Sequence, residues 1–223
     1  INCNVQSNEQ TGQIAENIAA TLLEIGAVRL SPRRPFTWAS GWRSPIYCDN
    51  RLTLSYPAAR GLIRQGFVAL AQREFAAAQA ICGVATGGLP HGALLADALE
   101  LPFLYVRSAP KAHGLGNQVE GRVVPGAPTL VLEDLVSTGE SSLKAARAVQ
   151  AAGMPVLGVA AIFSYGFPEA SAAFAAAALP LRALCSLEAL LRVAQAQGAL
   201  SAGELAAVAQ WRQAPAEWQP PAG

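Results

Sequence analysis

The sequence predicts an α/β fold: a doubly wound, mostly parallel sheet flanked by helices, with a small β-containing hood. Three observations carry this. Continuously apolar segments at 80–84, 102–106, 129–133 and 156–163 alternate with helical segments at 91–100, 141–152 and 168–178. Strands apolar at every position are buried on both faces, and strand–helix alternation gives parallel pairing. Two of these strands run into short turns rich in glycine or hydroxyls, Thr86-Gly87-Gly88 and Ser137-Thr138-Gly139, before the next helix. The segment Val28 to Cys48 breaks the pattern: short β-like pieces separated by Arg33-Arg34-Pro35, Ser40-Gly41 and Ser44-Pro45 form the hood.

The remaining elements follow in order. Ile14, Ile18 and Leu22 recur at helical spacing, so Thr11 to Ile25 reads as a helix with Thr11 as cap and Gly26 as stop. Ser55-Tyr56-Pro57 opens a second helix reaching about Phe75, with proline where its missing N–H costs little. A short strand at Leu181 to Cys185 closes the sheet. Two helices follow, Ser186 to Gly198 and Ser201 to Arg212, then an extended proline-rich tail, Pro215–Gly223. The chain reads as a single domain, 1–223: N-terminal helix and hood over about 1–56, core over about 57–185, closing helices and tail over about 186–223.

Composition removes several function classes. A net charge of +1 gives no global field that points to nucleic acid or a membrane surface. No apolar run reaches the roughly 18 residues a bilayer crossing needs. Cys3, Cys48, Cys82 and Cys185 are too scattered for a zinc site or a disulfide framework and read as free thiols of a cytoplasmic protein. Neither a G-x-x-x-x-G-K-[ST] loop nor a G-x-G-x-x-G turn after a strand occurs, so P-loop and dinucleotide folds are unsupported.

The segment from Thr129 to Ser142 carries the strongest chemical signal. A strand brings up two adjacent carboxyls, Glu133 and Asp134, and Leu135 and Val136 lead into the loop Ser137-Thr138-Gly139-Glu140-Ser141 at the start of a helix. Hydroxyls and free N–H groups at a helix N-terminus suit a phosphate monoester. Carboxylates reject phosphate but accept hydrogen bonds from vicinal hydroxyls. The two together describe a cradle for ribose 5-phosphate at a strand carboxyl end. A second segment, Tyr105 to Gly121, delivers Arg107 and then a glycine-rich loop with Lys111 and His113. The chain has only two lysines and two histidines, and this loop holds one of each. Such a loop can close over an anion and neutralise a leaving group. Backbone N–H groups of Thr86, Gly87 and Gly88 can hold a diphosphate as a nest, with His91 read as structural. Aromatics beside Ser40-Gly41, including Tyr47, can flank a planar base, a reading no stronger than that of a packed β-hairpin.

Together these segments, spanning about 36–142, resemble the type I phosphoribosyltransferases, and within them the orotate phosphoribosyltransferases. The resemblance implies transfer of ribose 5-phosphate from phosphoribosyl diphosphate (PRPP) to orotate, with Mg²⁺ as cofactor held mainly through PRPP and no direct protein ligand. It implies that Arg107, Lys111 and His113 contact the diphosphate. Glu133 and Asp134 would hold the ribose hydroxyls, Ser137 to Ser141 the 5-phosphate, and Ser137, Ser40, Gly41 and Tyr47 the orotate. Lys111, His113 and Asp134 would be catalytic. It further implies a homodimer whose 108–121 loop reaches the partner's site, with no nucleic-acid or membrane partner. Ala39, Gly87 and Ser108 stand where many members carry lysine, and Arg43 or Arg51 would supply charge in the hood. The same donor loop would serve an enzyme acting on a purine or other base, or a PRPP-sensing regulator. The Lys111-x-His113 loop favours an enzyme and the hood favours orotate.

Overall fold

The computed structural model describes residues 2–108 and 118–220, with side chains from residue 12 onward. Helix α1 (Asn2–Glu24) leads into four short strands, β1 (Val28–Leu30), β2 (Phe36–Thr37), β3 (Arg43–Ser44) and β4 (Ile46–Cys48), and a 3₁₀ turn, Asn50–Ser55. The core follows as α2 (Pro57–Glu74), β5 (Ala80–Val84), α3 (Gly88–Leu99), β6 (Phe103–Val106), β7 (Val119–Glu120), β8 (Thr129–Val136), α4 (Glu140–Ala151), β9 (Val156–Ser164), α5 (Pro168–Ala176) and β10 (Leu181–Ser186). Helices α6 (Leu187–Ala196) and α7 (Ala202–Gln213) close the chain.

The main sheet runs β10-β9-β8-β5-β6-β7, parallel except for the β6–β7 edge. The hood is two antiparallel ribbons, β1 with β4 and β2 with β3. Strand alternation sorts the core into two layers. Ile81, Leu130, Leu132, Ala160 and Ile162 face α1, α2, α3, α6 and α7. Cys82, Val84, Val131, Val159 and Ala161 face α4 and the Phe174 side of α5. Helices on both faces explain why these strands read as unbroken apolar runs.

The structure shifts three expected boundaries. Helix α1 starts at Asn2, and Thr11 lies inside it rather than capping it; residues 2–11 contain no proline or glycine to stop a helix. Helix α3 starts at Gly88, three residues early, because Pro90 falls within its first turn, where N–H groups have no intrahelical partner. Strand β8 continues through Glu133 and Asp134 to Val136, since β9 pairs with it as far as Val136↔Ser164. In the tail, Trp218 packs into the core layer around α7.

Leu132 is fully buried at the centre of the sheet. Leu132→Ala is expected to cost about 2–5 kcal/mol, read as a lower urea midpoint at unchanged slope. A loss below about 1 kcal/mol would show that the site collapses around the truncation and is not tightly packed.

Candidate active site

The chain reverses its winding between β5 and β8. From β5 it moves outward to β6, then returns to place β8 on the other side. In doubly wound sheets ligands bind at the strand carboxyl ends at such a point. Pairing of β5 with β8 ends at Gly83↔Leu132, whereas β9 accompanies β8 to Val136. The last residues of β8 therefore border a crevice, and the turn Ala85–Gly87 lies across it.

Glycine makes this close approach possible. A Cβ on Gly88 would lie 2.3 Å from the Leu132 carbonyl oxygen, and one on Gly87 would lie 2.2 Å from Asp134 Cγ. Helix α3 therefore starts behind Gly87 with no side-chain cap, and α4 starts behind Gly139, at φ 82°, again with none. Helices α6 and α7, remote from the crevice, are capped by the hydroxyls of Ser186 and Ser201. The two helices that open on the crevice keep first-turn N–H groups available for an anion.

The pleat of β8 starts Glu133 and Asp134 from opposite faces, yet their carboxyls stay within hydrogen-bonding reach of each other. Glu133 turns inward toward α4 and is 4% exposed. Its Oε2 accepts from Ser141 Oγ at 3.3 Å and Ser142 Oγ at 3.4 Å, and its Oε1 from the Asp134 N–H at 3.1 Å. Burial first, and the Asp134 charge second, push its pKa up to about 9. Asp134, half-buried, has its carboxyl against Gly87. Of the two acids expected at one diol, Asp134 lies against the Gly87 turn, while Glu133 underpins the loop that begins α4.

Two cavities open at this end of the sheet. One of about 360 Å³ is bounded by Ala85, Arg107, Ser108, Thr138, Ser141 and Lys144, among others. The other, about 430 Å³, lies under the hood between Trp38, Tyr47, Cys48, Leu135, Ser137 and Tyr165. Trp38 and Tyr165 have ring centroids 5.2 Å apart. Tyr47 is held by the Arg29 guanidinium, 5.1 Å from its centroid. The hood is tied to β8 by Asn50, whose amide donates to the Asp134 carbonyl at 2.7 Å. Thr53 gives its hydroxyl proton to the Asn50 carbonyl, so it accepts from His91 Nε2–H at 3.2 Å. Burial, then the charge of Arg60, hold buried His91 down to about 4, a structural and neutral imidazole.

The expected site residues divide accordingly. Thr86, Gly87 and Gly88, the 133–141 segment and Arg107 surround the crevice, with Arg107 3.6 Å from Glu120. Tyr47 and Ser137 border the hood cavity, but Ser40 and Gly41 do not: they form the exposed tip of the β2–β3 ribbon, where Gly41 N–H donates to the Trp38 carbonyl. Lys111 and His113 lie outside the described residues. The sequence reading missed Asn50, Tyr165 and Lys144, and held Trp38 only among the aromatics beside Ser40-Gly41. Lys144 carried a usable signal, being one of only two lysines. Arg43 is exposed and Arg51 pairs with Asp49 at 2.7 Å, and neither borders the hood cavity. Among the described residues no group of three or more His, Cys, Asp or Glu side chains is arranged to hold a metal, and no helix is long and apolar enough to cross a membrane.

The Glu133 environment sets a pH dependence. Its folded pKa is raised, so its contribution to stability is complete below about 4.5 and is lost as pH climbs toward about 9. Glu133→Gln, which cannot ionise, is expected to lose less stability than the parent chain across that window, measured by denaturant titration at stepped pH. Parallel pH profiles for the two proteins would contradict this.

The comparisons agree with this geometry. The family model described as "Phosphoribosyl transferase domain" matches residues 59–170. The chain is 51% identical over 201 residues to orotate phosphoribosyltransferase of Bacteroides fragilis, covering 90% of this chain and 95% of that one. Among solved structures it is similar to orotate phosphoribosyltransferase of Aeropyrum pernix, with TM-score 0.72 and 30% identity, covering 82% of this chain and 99% of that one. It is also similar to the Mycobacterium tuberculosis orotate phosphoribosyltransferase in complex with 5-phospho-α-D-ribosyl 1-diphosphate, with TM-score 0.60 and 27% identity, covering 81% and 98% of the two chains. With its crevice at the β5–β8 reversal, its two uncapped helix starts and its aromatic hood, the chain belongs to the orotate phosphoribosyltransferase family.

Proposed function

We propose that this protein transfers ribose 5-phosphate from PRPP to N1 of orotate, yielding orotidine 5′-phosphate and diphosphate for pyrimidine nucleotide synthesis. One observation carries the reading. Two helix N-termini free of side-chain caps converge with the Asp134 carboxylate beside an aromatic slot. That arrangement supplies donors for two anionic groups, an acceptor for a diol and flat walls for a base.

In this reading the C1′–O bond to diphosphate breaks, its electron pair leaving with the diphosphate, as the N1–C1′ bond forms and the N1 proton passes to the departing diphosphate or to water. The first-turn amides of α4, with Thr138 and Ser141, hold the 5-phosphate. The Thr86–Gly88 turn and Arg107 hold the diphosphate, and Lys111 and His113 neutralise it as it leaves. Asp134 accepts from the ribose hydroxyls and faces positive charge developing at C1′. Trp38, Tyr47, Tyr165 and Ser137 orient orotate so that N1 stands about 3–3.5 Å from C1′. Mg²⁺ would be held mainly through PRPP, whose many phosphate and hydroxyl oxygens suit a hard cation. When bound it would shield the diphosphate charge. The 108–121 loop of one subunit is proposed to serve its partner's site in a cytoplasmic homodimer.

The test follows the fall in orotate absorbance with PRPP and Mg²⁺. Consumption of orotate, but not of purine bases, supports the reading; no consumption contradicts it. Chelating the metal with EDTA is expected to abolish turnover, and added Mg²⁺ to restore it. Lys111→Ala is expected to lower kcat by about 10²–10³, the scale of losing one preorganised charge-stabilising donor. Asp134→Asn keeps the shape but removes the charge, and is expected to impair PRPP use without changing the melting temperature. Unaltered kinetics in either variant would remove that residue from the mechanism.

A further inference from the structure

Lysine 144 stands on α4, one helical turn beyond Glu140. It belongs to no part of the sequence motifs that point to PRPP. Nevertheless it borders the same cavity of about 360 Å³ as Ala85 at the end of β5 and Arg107 at the end of β6. Arg107 and Lys144 are the cationic side chains that border this cavity among the described residues. They are not equivalent. The guanidinium of Arg107 lies 3.6 Å from the Glu120 carboxylate, so part of its charge is already met. Lys144 has no ion pair within 4.0 Å among the described residues, not even with Glu140 at the i, i+4 spacing that commonly gives one.

A cation beside an open cavity, uncompensated and next to the turn that carries the diphosphate nest, calls for an anion there. We infer that Lys144 is a fixed binding residue for the diphosphate group of the donor, acting from α4 and independently of the Lys111 loop. The inference rests on the reading of PRPP as donor. Because it shares this cavity with Ala85 and Arg107, and the first-turn amides already serve the 5-phosphate, Lys144 is assigned to the diphosphate. Helix placement also sets the kinetic signature. A side chain carried on a packed helix is in place before and during bond breaking, so it stabilises the bound donor and the transition state about equally. Such uniform binding lowers KM and leaves kcat unchanged.

The experiment compares the parent protein with Lys144→Met and Lys144→Arg in the orotate assay, with inhibition by inorganic diphosphate and by ribose 5-phosphate as separate arms. Lys144 is exposed, so both variants are expected to fold with the parent melting temperature. In Lys144→Met the KM for PRPP is expected to rise about tenfold, the scale of one charge-assisted contact, with kcat and the KM for orotate unchanged. Inhibition by diphosphate should weaken in parallel, inhibition by ribose 5-phosphate should not, and Lys144→Arg should restore most of the affinity. An unchanged KM for PRPP, a fall confined to kcat, or weakened inhibition by ribose 5-phosphate alone would each overturn the inference. If the parent protein does not consume orotate at all, it is the proposed function that fails, and diphosphate binding by calorimetry then decides Lys144 alone: equal affinity in parent and Lys144→Met would overturn it.

Discussion

The pleat at Glu133-Asp134 is the constraint on which the rest of this end of the molecule depends. Two consecutive side chains in a strand leave on opposite faces, even where, as here, their carboxyls stay within hydrogen-bonding reach of each other. Because β9 keeps β8 extended to Val136, that rule applies here and is not relaxed by a turn. One acid is driven under α4, where Ser141 and Ser142 donate to it. The other is driven toward the turn after β5, where only glycine leaves it room. A single geometric rule thus bears on the start of α4, on the glycines of the turn after β5 and on the placement of the Asp134 carboxyl beside that turn. Gly139 completes the arrangement: its left-handed φ of 82° would strain any other residue, and a Cβ there would meet Phe174 at 2.7 Å.

The hood is positioned from the same strand. Asn50 spans from the 3₁₀ turn to the Asp134 carbonyl, so the residue that presents a carboxylate to the crevice also anchors the lid of the base slot. Behind the slot, Tyr165 stacks on Phe167 at 10° and meets Trp211 of α7 at 83°. Arg212 donates to the Gly166 carbonyl at 3.1 Å and pairs with Glu188 at 2.7 Å. The closing helices therefore hold Tyr165, a wall of the hood cavity, in place, although α7 contributes no side chain to that cavity. The slot itself carries no cation among its described walls. Its walls offer ring faces and hydroxyls instead.

Much of the scaffold was legible in the sequence because parallel strands covered on both faces leave unbroken apolar runs, and glycine turns punctuate them. The phosphate loop was legible for a related reason: hydroxyls and glycine at a helix start are a local signal. What escaped was set by contacts distant in sequence. The extent of β8 depends on β9, so the strand that reads as ending at Glu133 and Asp134 continues to Val136. Asn50 matters through a partner 84 positions away, and Tyr165 through a slot whose other walls lie in the hood. Ser40 and Gly41 read as pocket residues because they neighbour aromatics in sequence, but a two-residue ribbon places them at its tip.

The most direct test of the account is a crystal structure of the protein with PRPP bound. The account predicts the 5-phosphate against the amides that open α4, the diphosphate across the Thr86–Gly88 turn, and an Asp134 carboxylate oxygen within hydrogen-bond distance of a ribose hydroxyl. A donor seated elsewhere, or a ribose whose hydroxyls turn away from Asp134, would contradict it.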